Sequence, residues 1–268
     1  MFPMSLLHCW RWYAVCLVLG TGVPHMAQAQ ETAYLPREFR DGEQVLLYRW
    51  LTPPAAAMTE GQKFPLVIFL HGAGERGADN QAQLRHCPPK FEEPANREQY
   101  PCFVIAPQCP TGKRWSELDW SKDADPLPVD PSEPVSLLMK LLAQLEQEQP
   151  IDVDRIYVMG LSMGGYGTWD MLSRYPQKFA AAVPICGGGD EAQAVKFKHV
   201  PIWVFHGALD TAVKPIRSQR MVAALKEAGG HPRYTEYPDK AHDSWTPAMQ
   251  EPELFPWLFA QRRPQTAE

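Results

Sequence analysis

Ile156-Tyr157-Val158-Met159-Gly160-Leu161-Ser162-Met163-Gly164-Gly165 is the stretch that decides the fold. Four apolar residues run into a glycine-rich turn, and residues 163–175 then continue as a helix stopped by Pro176. The turn carries Gly160-Leu161-Ser162-Met163-Gly164, the G-x-S-x-G pattern. Between a strand and a helix, that pattern demands a sharp bend. The bend lifts the serine hydroxyl above the sheet and sets a helix N-terminus, with its partial positive charge, beneath it.

Working outward, short apolar runs recur at 66–70, 103–106, 180–185 and 202–205, and a more polar run at 234–237 reads as an edge strand. Runs without polar alternation suit strands covered by helices on both faces. Between them lie helical segments. Val135, Leu138, Leu141, Leu142 and Leu145 share one helical face, which Pro150 closes, and residues 216–228 end at Gly229-Gly230. A short helix is expected over 254–262. Residues 45–50, and 34–39 before them, add antiparallel strands at the start. The expected fold is α/β, a doubly wound, mostly parallel sheet in a single domain over residues 30–268. The connection between Ile185 and Val200 is too short for a large cap domain.

Residues 1–29 read as a signal peptide. An apolar run of roughly a dozen residues is too short to span a bilayer, which takes about 20, and Ala27-Gln28-Ala29 resembles a cleavage site. The mature chain is therefore expected to be secreted or periplasmic, without stable membrane insertion; an uncleaved anchor is the alternative. The net charge of −5 and the absence of a basic stripe exclude nucleic-acid binding as a first reading. Cleavage leaves Cys87, Cys102, Cys109 and Cys186. Export permits disulfides, but Cys102 and Cys109 bracket an extended strand and lie too far apart to pair. The other pairings and buried free thiols stay open.

A serine hydroxyl is a weak nucleophile and needs a base held by a carboxylate. After Ser162, Asp210 follows the strand at 202–205 and His242 follows the strand at 234–237, so both fall in loops at strand C-terminal ends, where open α/β sheets bind ligands. His231 falls at the wrong end of its strand. His71 and His206 suit packing, Asp239 and Asp243 flank His242 too closely, and Asp152 and Asp154 precede the nucleophile strand. Two backbone N–H groups are needed for an oxyanion: Met163 supplies one, and Ala73, with Gly74 as alternative, the other. Trp115, Trp120 and Trp245 lie near these loops and either stack on substrate or pack the loops down.

Phe69-Leu70-His71-Gly72-Ala73-Gly74-Glu75-Arg76-Gly77 with Asp79-Asn80, Ala106-Pro107-Gln108-Cys109-Pro110, Gly160 to Gly165, Pro184 to Gly189 and Ala241 to Trp245 together resemble the bacterial phospholipase/carboxylesterase and "predicted peptidase" group of α/β-hydrolases, related to dienelactone hydrolase and feruloyl esterases. The resemblance covers about residues 40 to 262. It implies the α/β-hydrolase fold, the triad Ser162, Asp210 and His242, and a small-molecule ester as substrate. Cys87 is unexpected at its place in that group and suggests a local disulfide. Neither metal nor cofactor is implied. A peptidase with the same triad and a binding protein that kept only the fold are the alternatives, and oligomeric state is not legible.

Overall fold

The computed structural model describes Met1 and residues 32–120, 122 and 125–263; the signal-peptide expectation over 1–29 lies outside the described residues apart from Met1. Eight strands form one sheet: β1 (Leu35–Asp41), β2 (Gln44–Leu51), β3 (Phe64–Leu70), β4 (Phe103–Gln108), β5 (Ile151–Leu161), β6 (Ala181–Ile185), β7 (Trp203–Gly207) and β8 (Arg233–Tyr237). Their order is β1-β2-β4-β3-β5-β6-β7-β8, with β1, β2 and β4 paired antiparallel and the remaining neighbours parallel.

All seven residues of β3 are buried, as the continuous apolar run requires. Leu66, Ile68 and Leu70 join the core on one face of the sheet, while Val67 and Phe69 join the core on the other. Helices α1 (Pro89–Glu92) and α2 (Pro94–Gln99) are short. The long ones are α3 (Glu133–Glu148), α4 (Met163–Arg174) and α6 (Ile216–Glu227); α5 (Ala194–Phe197), α7 (Trp245–Ala248) and α8 (Leu254–Ala260) are shorter. Ser132 starts α3: its Oγ accepts from Val135 N–H, and Pro134 sits in the first turn where its missing donor costs nothing.

From β3 the chain crosses to β4 on one side, and β5 returns on the other. The switch point therefore falls between β3 and β5, and ligand clefts open at the carboxyl ends of strands there. The connection from β6 to β7 holds only a short turn and α5, so no large cap stands over that end. Two expectations are corrected in detail. β5 begins at Ile151, so Asp152 and Asp154 lie within the strand rather than before it. Cys87, Cys102, Cys109 and Cys186 are all buried free thiols, so the local disulfide suggested for Cys87 does not form.

Candidate active site

The turn between β5 and α4 builds the centre of the site. Ser162 has φ 53° and ψ −115°, a region non-glycine residues rarely occupy, which marks a strained turn. The strain is sustained by close backbone packing. A Cβ on Gly164 would lie 1.9 Å from the Leu70 carbonyl oxygen, and one on Gly160 2.4 Å from that of Gly164. Helix α4 can therefore begin against β3 only because both positions lack side chains. Ser162 N–H donates to Ile185 O at 2.9 Å, tying the turn to β6.

Three loops converge on Ser162. His242 Nε2 lies 2.9 Å from Ser162 Oγ, and His242 Nδ1 lies 2.7 Å from Asp210 Oδ2. A carboxylate facing Nδ1 holds the proton on that nitrogen, which leaves Nε2 to accept from the hydroxyl. Asp210 Oδ1 accepts from the N–H groups of Ala212 and Val213, both at 2.9 Å. Burial alone would raise the Asp210 carboxyl. The hydrogen bonds from His206, His242 and Val213 N–H outweigh it and hold the group well below the usual carboxylate range. Asp210 is buried, whereas Ser162 and His242 are partly exposed, so the reactive atoms face solvent and the acid does not.

Met163 is the first residue of α4, and Ala73 opens a 3₁₀ turn over Ala73–Glu75 after β3. Among the described residues neither N–H has an intramolecular acceptor. His71 fixes the loop that carries Ala73. It is buried; its Nδ1 faces Gly72 O at 2.6 Å, and its Nε2 accepts from Cys109 N–H at 2.9 Å. His71 thus joins the ends of β3 and β4, the packing role its sequence position suggested. His206 is equally buried, with Nδ1 2.7 Å from Ser218 Oγ and Nε2 2.9 Å from Val213 O.

The three tryptophans part company. Trp115 is fully buried and its indole N–H donates to His71 O at 3.0 Å. It packs the loop down, the second of the two roles its position left open, and offers no face to a substrate. Trp120 is half-buried and stacks on Tyr166 with ring centroids 6.0 Å apart, while the Arg114 guanidinium lies 4.8 Å from its ring centre. Trp245 meets the His242 ring edge to face at 5.4 Å and the His86 ring at 5.2 Å. His86 in turn stands 3.3 Å from the carboxylate of Glu75, a buried residue of the Ala73 loop. Sequence reading missed this line of contacts from Glu75 to His242. Its one signal was a charged Glu75 within the glycine-rich loop after β3.

These features define a serine hydrolase built on the α/β-hydrolase fold. The chain belongs to the phospholipase/carboxylesterase family, whose pattern matches residues 54–255. It is similar to a thermostable esterase of known structure, with 40% identity and a TM-score of 0.78, covering 86% of this chain and 64% of that one. A bifunctional acetylxylan esterase/xylanase from Neocallimastix patriciarum is 29% identical over 147 residues, 54% of this chain and 19% of that protein. Poly(3-hydroxyalkanoate) depolymerase C from Paucimonas lemoignei is 30% identical over 125 residues, 46% and 28% of the respective lengths. The chain thus spans less than a third of either curated relative. Among the described residues, no helix is long and apolar enough to cross a membrane.

Proposed function

We propose that the chain is a secreted serine esterase that hydrolyses carboxylic esters of small or aryl acids through an acyl-enzyme. The observation that carries the reading is the unbroken series Ser162 Oγ, His242 and Asp210, at 2.9 and 2.7 Å, with the Met163 and Ala73 N–H groups free of acceptors among the described residues. His242 takes the Ser162 proton as Oγ attacks the ester carbonyl. The Met163 and Ala73 N–H groups receive the oxyanion, and His242 returns its proton to the leaving alcohol. Water then repeats the sequence and frees the acid. Asp210 stays ionised and stabilises the imidazolium at each step. The relatives named as an acetylxylan esterase and a hydroxyalkanoate depolymerase support ester cleavage. Half-buried Trp120, on its Tyr166 support, supplies a surface for an aryl acid. Trp245 braces His242 from the side and is the second contact proposed for substrate. Export and cleavage after Ala29 complete the proposal.

The test is fluorophosphonate labelling of the mature protein, mapped by peptide mass, followed by matched aryl-ester and aminopeptide amide hydrolysis. Label on Ser162 with ester turnover dominant is the expected result. Label on another residue refutes the nucleophile. Dominant amide turnover replaces the esterase reading with a peptidase, and neither label nor turnover leaves a binding protein. Intact mass of exported material starting at Gln30 checks the cleavage, and a mass retaining residues 1–29 refutes it.

A further inference from the structure

Behind the proposed triad, on the β6 side, sits a thiol that the hydrolytic mechanism does not use. Cys186 follows β6 with φ 41° and is fully buried. Its sulfur, a carboxylate oxygen of Asp210 and a ring nitrogen of His242 all lie within 4.8 Å of one another. In a tetrahedral zinc site, with bonds of about 2.0–2.3 Å, donor atoms stand roughly 3.5 Å apart. The sulfur therefore needs to close by little more than an ångström, while the Asp210 and His242 atoms, 2.7 Å apart, open slightly to admit the ion. A fourth polar atom points the same way. Ser244 is fully buried, and its hydroxyl stands within hydrogen-bonding reach of the Cys186 sulfur, where it favours the thiolate.

We infer that Cys186, Asp210 and His242 form an inhibitory site for one soft divalent cation, Zn²⁺ or Cd²⁺, which competes with catalysis for the same histidine. Burial pushes the Cys186 thiol up to about 12, so it is a neutral thiol until an ion binds. Coordination then deprotonates it, and one proton leaves to solvent for each ion bound. The ion takes the Nδ1 position that faces Asp210, so the imidazole proton moves from Nδ1 to Nε2. No electrons are transferred, and the neutral ring keeps its single proton. With a proton on Nε2, His242 has no lone pair for the Ser162 hydroxyl, and acyl transfer stops. The activity part of this inference rests on the triad proposed above; the binding part does not.

The experiment titrates the mature wild-type protein with ZnCl₂ and CdCl₂ in a non-chelating buffer. It follows hydrolysis of a small aryl ester and the ultraviolet charge-transfer band of cadmium thiolate. Expected are saturable inhibition reversed by EDTA, a band that saturates at one ion per chain, and one proton released per ion. Cys186→Ala should keep its basal hydrolysis, lose the band and need at least about tenfold more zinc for the same inhibition. Cys186→Ser serves if the alanine variant fails to fold, with the same loss of the band. Ser162→Ala, without turnover, should keep the band at wild-type stoichiometry. Equal zinc sensitivity in the Cys186 variants, a band that survives their substitution, or no band in the wild type overturns the inference. If the wild type hydrolyses no ester but shows the band and loses it with Cys186, the esterase reading falls and the metal site stands.

Discussion

His71 makes the protein's stability depend on pH in a calculable way. It is 1% exposed, and both ring nitrogens are satisfied in one neutral tautomer: Nδ1–H donates to Gly72 O and Nε2 accepts from Cys109 N–H. Protonation would place an N–H on Nε2 facing another N–H. Burial, the largest cause, lowers the group from its ordinary 6.5 to about 4. A base whose folded value is depressed binds protons preferentially when unfolded. The stability is thus complete above pH 6.5 and is lost as the pH falls toward 4. The full loss is on the order of 3 kcal/mol, and most of it has gone by pH 4.5. Other groups titrate in this range, so the measurement is a difference. Urea unfolding of the wild type and of His71→Gln, which does not titrate, should be compared from pH 8 to 4.5. At pH 8 the variant should be less stable by about 1–3 kcal/mol, because one buried hydrogen-bonding group loses its partner. That gap should close or reverse by pH 4.5, a change of about 2–3 kcal/mol. A gap constant within about 0.5 kcal/mol across the range refutes the buried neutral histidine.

Asp210→Asn should fold with little change in melting temperature yet lose about 10⁴-fold in kcat, because an amide at this position no longer fixes the His242 tautomer; near-normal kinetics refute the acid assignment. Gly164→Ala forces a Cβ to within 1.9 Å of the Leu70 carbonyl oxygen. It should cost at least about 2 kcal/mol of stability, read as a melting temperature lower by several degrees, and lower turnover with it; wild-type melting refutes the close approach. Trp120→Ala should lower kcat/KM for cinnamoyl-type esters by about two- to tenfold relative to acetyl esters, the worth of one aromatic stacking contact. An equal loss on both leaves Trp120 a purely structural residue.

The strands, the serine turn and the loops of Asp210 and His242 were legible because each rests on local pattern: apolar runs, a glycine turn, and chain order. The start of β5 was not. Asp152 and Asp154 interrupt the apolar run, yet they stay in the strand because each carboxylate meets an arginine, Arg155 at 2.7 Å and Arg263 at 2.8 Å. Arg155 lies three residues further along the strand, but Arg263 comes from the far C-terminal segment, 109 positions away, which no window of sequence reveals. Which of its two roles Trp115 takes was not legible for a similar reason. Its burial depends on a hydrogen bond to His71 O, made across 44 positions of sequence. The cysteines follow suit, since whether thiols pair depends on distances that composition cannot supply. Glu75 and His86 lay within or beside a recognised motif, but the path through Trp245 to His242 exists only once the loops after β3 and β8 are brought together.

The two halves of the proposed triad are held by different physical means. The serine half relies on steric fit, through glycines at 160 and 164 that let α4 start against β3. The acid and base are joined by backbone bonding between the loops after β7 and β8. Ala208 N–H donates to Tyr237 O and Leu209 N–H to Lys240 O, both at 2.9 Å, and a Cβ on Gly207 would stand 2.1 Å from Ala241 O. Asp210 and His242 therefore belong to one cross-braced unit whose geometry does not depend on Ser162. This arrangement places the ionised carboxylate and the imidazole before substrate arrives, so little reorganisation remains for the reacting step. It also explains why a cation drawn to Cys186, Asp210 and His242 would meet ligands already close to their binding positions. A base poised for catalysis beside a buried thiol is, by the same geometry, poised to be captured.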